Sequence, residues 1–249
     1  MRLSSLIFPL ALSVAGCVEV TSPTSAPSSG GGGSAPASSM DSTALTSAPA
    51  GFQTVNANAR FAGVVRRVEP VAEAQCRQAT GGSNCDFAIY IDADPSEPAN
   101  AYQTLDNANR PVIVFTKALL ADAQNTDELA FVLGHEAAHH IAGHIPKQQG
   151  TAVLGALILG TAAGLGGASA ESIDSFTRLG AAVGGRFFSQ DMELEADALG
   201  TVIAHDAGYD PVLGAQFFDR IPDPGETFLG SHPPNAKRQE TVQKVAAGL

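Results

Sequence analysis

Four histidines and one glutamate fall within the stretch VLGHEAAHHIAGH, residues 132 to 144. Its core, His135-Glu136-Ala137-Ala138-His139, fits the pattern HExxH. On a helix, residues four apart lie about 40° apart around the axis, so His135 and His139 project side by side and can grip one metal ion. Glu136 leaves the same helix beside them, placed to take a proton from an attacking water. The five-residue pattern alone is weakly specific. A catalytic zinc needs a third protein ligand and one open position, so another part of the chain must supply a donor.

Two kinds of donor can be tested. A third histidine in the pattern HExxHxxGxxH would need Gly at 142 and His at 145, where the chain has Ala142 and Ile145. His144 comes five residues after His139, about 140° around a continuous helix, and does not complete the same site. His140 and His144 can hold a second metal, or form a polar helix face with His144 bonded to nearby backbone; the second reading is the stronger. The carboxylate option fits. SQDMELEADALG, residues 189–200, puts Glu193 and Asp197 on one face of a second helix. Glu193, 54 residues after His139, is the expected third ligand. Asp197, one turn on, is placed to accept a hydrogen bond from a ligand histidine and fix its tautomer. Glu195 points away, into solvent.

These groups require two facing helices, and the surrounding pattern provides them. Thr126 is the expected N-cap of the first, with Asp127 and Glu128 well placed against the helix dipole. The second runs over about 189–207 and ends at Gly208 in AGYDP. Upstream, Phe61, Val64, Val65 and Val68 recur at helical spacing, and Pro70 is expected to open a second short helix towards Cys76. DFAIYID (86–92) and PVIVFT (111–116) read as strands. Between the site helices, residues 148–170 are uncharged and long enough to span a membrane. Five glycines between Gly155 and Gly167 weaken that reading. A single crossing would also put His135 and Glu193 on opposite sides. A hairpin or lid on the same side as the site is expected instead.

The N-terminal residues look unlike the rest. MRLSSLIFPLALSVAGC carries Arg2, an apolar run over 3–14 and small residues before Cys17, the form of a short secretory signal. VAGC resembles a bacterial lipobox, which implies loss of residues 1–16 and a lipidated Cys17; an ordinary signal peptide with an incidental cysteine is the alternative. Val18, rather than aspartate, favours retention at the outer membrane. Residues 17–50 are rich in Ser, Pro and Gly and read as a flexible tether. Residues 51–249 suffice for one folded domain. Cys76 and Cys85, nine apart, are expected to form a disulfide in an oxidising compartment, two free thiols being the alternative. The net charge of −11 argues against nucleic acid and against a polybasic membrane patch.

HEAAH, ELEADALG, AGYDP and SHPPNAKRQE, in that order, resemble the HtpX-like and CaaX-prenyl-protease zinc peptidases, family forty-eight of the metallopeptidases, and especially its small bacterial envelope lipoproteins. PANAYQTLDNANRPVIVFTKALLADAQNTDELAFVLGHE is similar to the family's NAF segment, edge strand and approach helix. The resemblance covers about residues 55–245. It implies an α+β, mostly helical gluzincin-type metallopeptidase domain, with a small mixed sheet beside the HExxH helix. It implies one zinc ion per chain on His135, His139 and Glu193, with Glu136 as general base and Asp197 as the outer carboxylate. His232 matches a histidine near the metal that stabilises the oxyanion or, in some members, caps the zinc in a resting state. Arg238 matches an arginine with a structural or electrostatic role. Gln190 departs from the family, standing where a basic residue is usual.

The function so implied is a zinc-dependent endopeptidase of the bacterial cell envelope, lipid-anchored on the periplasmic side. Unfolded or misassembled envelope proteins are its expected substrates, with envelope assembly partners, and the strand at 112–115 is expected to align them by strand addition. The alternative is a metal-binding lipoprotein acting as a chaperone or assembly factor without proteolysis. That reading needs a broken catalytic residue, and none of His135, Glu136, His139 or Glu193 is missing.

Overall fold

Phe61, Val64, Val65, Val68, Ala72 and Cys76 are all buried on one side of a single helix, α1 (Ala59–Ala79), which Asn58 caps by accepting from the Phe61 N–H. The computed structural model describes residues 48–185, 190–223 and 233–249, with backbone alone over 179–185; Cys17 and His232 lie outside the described residues. Pro70 does not open a second helix but sits inside α1. A proline there frees the carbonyl four residues back, that of Arg66. Both Pro70 and Arg66 are exposed, so water can take the freed acceptor while the buried stripe runs on uninterrupted.

Four short strands follow, β1 (Phe52–Thr54), β2 (Ala88–Asp92), β3 (Ala101–Leu105) and β4 (Pro111–Phe115), with β2 and β4 the most buried. They form one sheet in the order β1-β2-β4-β3, with β2 and β4 parallel and the other two pairings antiparallel. β4, expected above to receive substrate, is therefore an interior strand with both edges taken. β1 and β3 are the two edge strands. Ile89, Ile91, Ile113 and Phe115 belong to the same buried core as α1, where the Phe61 and Phe115 rings lie 4.4 Å apart. A Cys76–Cys85 disulfide, with Cα atoms 5.7 Å apart, ties the end of α1 to the segment leading into β2.

After α2 (Lys117–Asp122) comes α3 (Thr126–Ile141), the helix that carries HEAAH. Its cap is Asn125, not Thr126, which already belongs to the first turn. The Asn125 side chain accepts from the Glu128 N–H at 2.8 Å, and Glu128 reaches back to accept from the Gln124 N–H at 2.9 Å. This reciprocal arrangement is a form of capping box. Arg220 then holds the buried Glu128 carboxylate through two bonds, at 2.9 and 2.6 Å.

α4 (His144–Leu165) and α5 (Ala170–Gly185) make a helical hairpin that turns at Gly167, whose φ is 76°. Val153, Leu154, Leu157, Ile158 and Leu165 on or at the end of α4 are exposed. Among the described residues no helix is long and apolar enough to cross a membrane. α6 (Gln190–Asp206) closes with Gly208 at φ 80° and packs on α3. The short α7 (Pro211–Gly214) and α8 (Asn235–Ala246) complete the fold, with α8 against α6. The architecture is α+β, mostly helical, with a small mixed sheet beside α3.

Candidate metal centre

α3 and α6 touch backbone to backbone. A Cβ added at Gly134 would lie 2.8 Å from the Gly200 carbonyl oxygen, and one at Gly200 would lie 2.8 Å from the His135 nitrogen. Only glycine permits so close an approach. The crossing brings His135 and His139 of α3 opposite Glu193 and Asp197 of α6, and all four are buried.

The inward-facing atoms are closely spaced. The two histidine Nε2 atoms are 3.0 Å apart, and the Glu193 oxygens lie 3.7 Å from that of His135 and 3.5 Å from that of His139. A tetrahedral zinc with bonds of about 2.0–2.1 Å holds its ligands about 3.3 Å from one another, so the donor set fits this ion in size and type. At 3.0 Å the two Nε2 atoms are compatible either with a hydrogen on one of them or with a cation shared by both lone pairs. Among the described residues, this is the group of three or more His, Cys, Asp or Glu side chains close enough to share a metal.

Outer contacts decide which nitrogen faces inward. His135 Nδ1 lies 2.9 Å from Asp197 Oδ1, while Arg238 donates to both Asp197 oxygens, at 2.7 and 2.6 Å. Burial pushes the Asp197 carboxyl up, but the hydrogen bonds and charges of Arg238 and His135 outweigh it and hold the group below its ordinary value. The carboxylate therefore has no proton to give, His135 Nδ1 carries one, and Nε2 keeps its lone pair for a metal. Burial alone would lower the His135 pKa; the Asp197 bond and charge reverse this, raising it. Arg238 is itself positioned by stacking over the Phe218 ring at 4.1 Å.

The second ligand has an outer partner that the sequence reading missed. His144 is fully buried, with Nδ1 2.9 Å from His139 Nδ1 and Nε2 3.1 Å from Glu195 Oε2. It does not sit on a polar face bonded to backbone, and Glu195, although its side chain is 55% exposed, turns back to it. The 140° offset assumed a continuous helix. Gly143, at φ 66°, ends α3 and starts α4 in a new direction, which swings His144 back over His139. Glycine as a helix stop was the signal available in the sequence. His140 turns elsewhere, its Nε2 2.7 Å from the Asn84 carbonyl and its ring edge-on to Phe87. The two histidines thus do not form a second metal pair.

Glu136 and His135 line an open cleft of about 550 Å³, whose walls include Ala101 of β3, Val132, Phe217 and Arg238. Glu136, next to the donor His135, therefore borders the space a substrate would enter.

A family model for peptidase family M48 matches residues 58–246. The chain belongs to peptidase family M48. The matched range takes in every element from α1 to α8, including both helices that carry the candidate metal donors. The mitochondrial metalloendopeptidase OMA1 of Saccharomyces cerevisiae is 28% identical over 172 residues, covering 64% of this chain and 46% of that protein. The beta-barrel assembly-enhancing protease of Yersinia pestis is 34% identical over 124 residues, covering 45% of this chain and 24% of that protein. The chain thus spans less than half the length of the curated relatives it matches. Within this M48 domain, the residues singled out in HEAAH and ELEAD come together at one crossing, while Cys76 and Cys85 are joined at the far end of α1.

Proposed function

We propose that this M48 chain is a zinc-dependent endopeptidase of the bacterial cell envelope, anchored through a lipidated Cys17 on the periplasmic side, that cleaves unfolded or misassembled envelope proteins. One observation carries the reading: Glu136 borders an open cleft directly beside three donor atoms spaced for a tetrahedral metal. Zinc bound there would supply Lewis acidity, polarising a peptide carbonyl and making the attacking water easier to deprotonate. His135, His139 and Glu193 are the residues that hold it. Glu136 accepts the proton of the attacking water and passes it to the leaving amine. His232, assigned by family resemblance, donates to the developing oxyanion.

Substrate choice follows from β3. It is one of the sheet's two edge strands, and Ala101, its first residue, lines the cleft. An extended chain that pairs with this edge is held by main-chain hydrogen bonds, which folded proteins cannot offer. This favours polypeptides that have lost or not yet reached their structure. The signal-like first seventeen residues and the likeness to a beta-barrel assembly-enhancing protease support an envelope setting with assembly partners.

The test is cleavage of unfolded casein by the full-length protein, with zinc and after chelation, beside Glu136→Gln. Zinc-dependent cleavage is expected in the wild type, and a loss of at least ~100-fold in the variant with zinc still bound. Full proteolysis by zinc-loaded Glu136→Gln would remove Glu136 as the base. A zinc-loaded wild type that cleaves nothing would favour the chaperone or assembly-factor reading.

A further inference from the structure

We propose that His144 is a positioning residue for the metal ligand His139, the middle of a hydrogen-bonded relay from Glu195 through His144 that sets the ligand's tautomer and strengthens zinc binding. The inference rests on the zinc reading above and adds residues to which no role in it has been given.

The proton bookkeeping of the relay has one consistent solution. Glu195 is a carboxylate on the protein surface and can only accept, so His144 Nε2, 3.1 Å away, carries a hydrogen. A neutral His144 then has a bare Nδ1, and this nitrogen faces His139 Nδ1 at 2.9 Å. The hydrogen between them therefore belongs to His139 Nδ1. That leaves His139 Nε2 unprotonated, directed at His135 Nε2 and Glu193, as a metal ligand must be. The reverse assignment fails at both ends. It sets the bare Nε2 of His144 against a carboxylate, and it places a hydrogen on His139 Nε2, where the metal belongs.

Geometry makes the relay rigid. His144 is fully buried and His139 nearly so, whereas Glu195 lies at the surface within 3.9 Å of Lys147 Nζ. The left-handed Gly143 fixes the turn that sets the two rings at 5.0 Å between centroids. The metal centre thus has two unlike supports. His135 leans on a buried carboxylate locked by Arg238, and His139 leans on a neutral imidazole backed by a surface carboxylate.

Zinc affinity of the full-length wild type, His144→Leu and His144→Gln, measured by competition with a chelating dye, tests the relay alongside ring-nitrogen NMR of the zinc-loaded wild type. His144→Leu keeps the volume but loses both bonds, and is expected to bind zinc roughly 10–100-fold more weakly. His144→Gln offers a carbonyl to accept and an amide to donate, and is expected to recover most of that loss. In the wild type, His144 should carry its hydrogen on Nε2 and His139 on Nδ1. A hydrogen on His144 Nδ1, or wild-type affinity in His144→Leu, would overturn the relay while leaving the zinc site standing. A wild type that binds no zinc would overturn both. If His144→Leu does not fold, the wild-type NMR decides alone.

Discussion

Arg238 on α8 grips both carboxylate oxygens of Asp197 on α6, and Asp197 in turn holds His135 on α3. Three helices are thus joined at one buried ion pair that also orients a metal ligand. Replacing Arg238 with methionine leaves the Asp197 charge buried without its cation. A loss of about 3–5 kcal/mol is expected in urea unfolding. Arg238→Lys keeps the charge but not the two-pronged grip, and should fall between the two.

The same pair yields a contrast between stability and metal binding. Changing both partners at once, Asp197→Leu with Arg238→Met, removes the stranded charge and should recover part of the lost stability. Zinc affinity should not recover, staying roughly 10–100-fold below wild type because His135 has lost its orienting acceptor. Equal recovery of both would mean that Asp197 matters to the fold alone.

On α1, Glu69 predicts a pH dependence. Burial, with repulsion from Glu73 and Asp86 only partly opposed by Arg110, raises its pKa from 4.5 to about 7. The folded state therefore holds this proton more tightly than the unfolded chain. Its contribution is fully present below about 4.5 and is lost as pH rises through about 7. Glu69→Gln should match wild type near pH 4 and exceed it by ~1–2 kcal/mol at pH 8, the figure being reduced for partial exposure. Thermal unfolding at the two pH values checks this; no gain at pH 8 would contradict it.

Backbone contact between α3 and α6 makes Gly134 and Gly200 intolerant of any side chain. Gly134→Ala must push the helices apart, at a cost of about 1–3 kcal/mol or more. The donor atoms separate with them, so zinc affinity should drop in the same variant. Calorimetry with and without zinc reads both effects.

Reducing the Cys76–Cys85 disulfide releases a loop with a sequence separation of 9, and should lower stability by about 2–3 kcal/mol. The loop also carries Asn84, whose carbonyl lies 2.7 Å from His140 Nε2 beside the proposed ligand His139, so zinc retention is expected to weaken under the same reductant. Zinc retention and melting temperature can be followed in one sample.

The parts of the molecule legible in the sequence were those encoded by spacing on a continuous element. The i, i+4 pairs His135/His139 and Glu193/Asp197, the buried stripe of α1 and the two central strands all belong here. What escaped depended on where an element stops or what lies beside it. Pro70 was read as a boundary because the residues that make it harmless, its own and Arg66's exposed positions, are visible only once the helix has a side. Thr126 and Asn125 both suit a cap, and tertiary support of Glu128 by Arg220 settles on Asn125. The strand at 112–115 was given the substrate edge because strand order is not written in any one strand. His144 was misjudged by one glycine, since a helical wheel carries no meaning past a left-handed residue.

The candidate metal donors also lie far apart along the chain, with the whole α4–α5 hairpin between His139 and Glu193. An ion held by both acts as a removable cross-link, closing that hairpin into a loop and restricting the unfolded chain much as a disulfide would. Loop closure depends only weakly on length, each doubling costing about 0.6 kcal/mol. The hairpin is therefore a place where residues can be inserted or removed at little expense to the α3/α6 crossing. Its surface is open to change, while the site that it links is not.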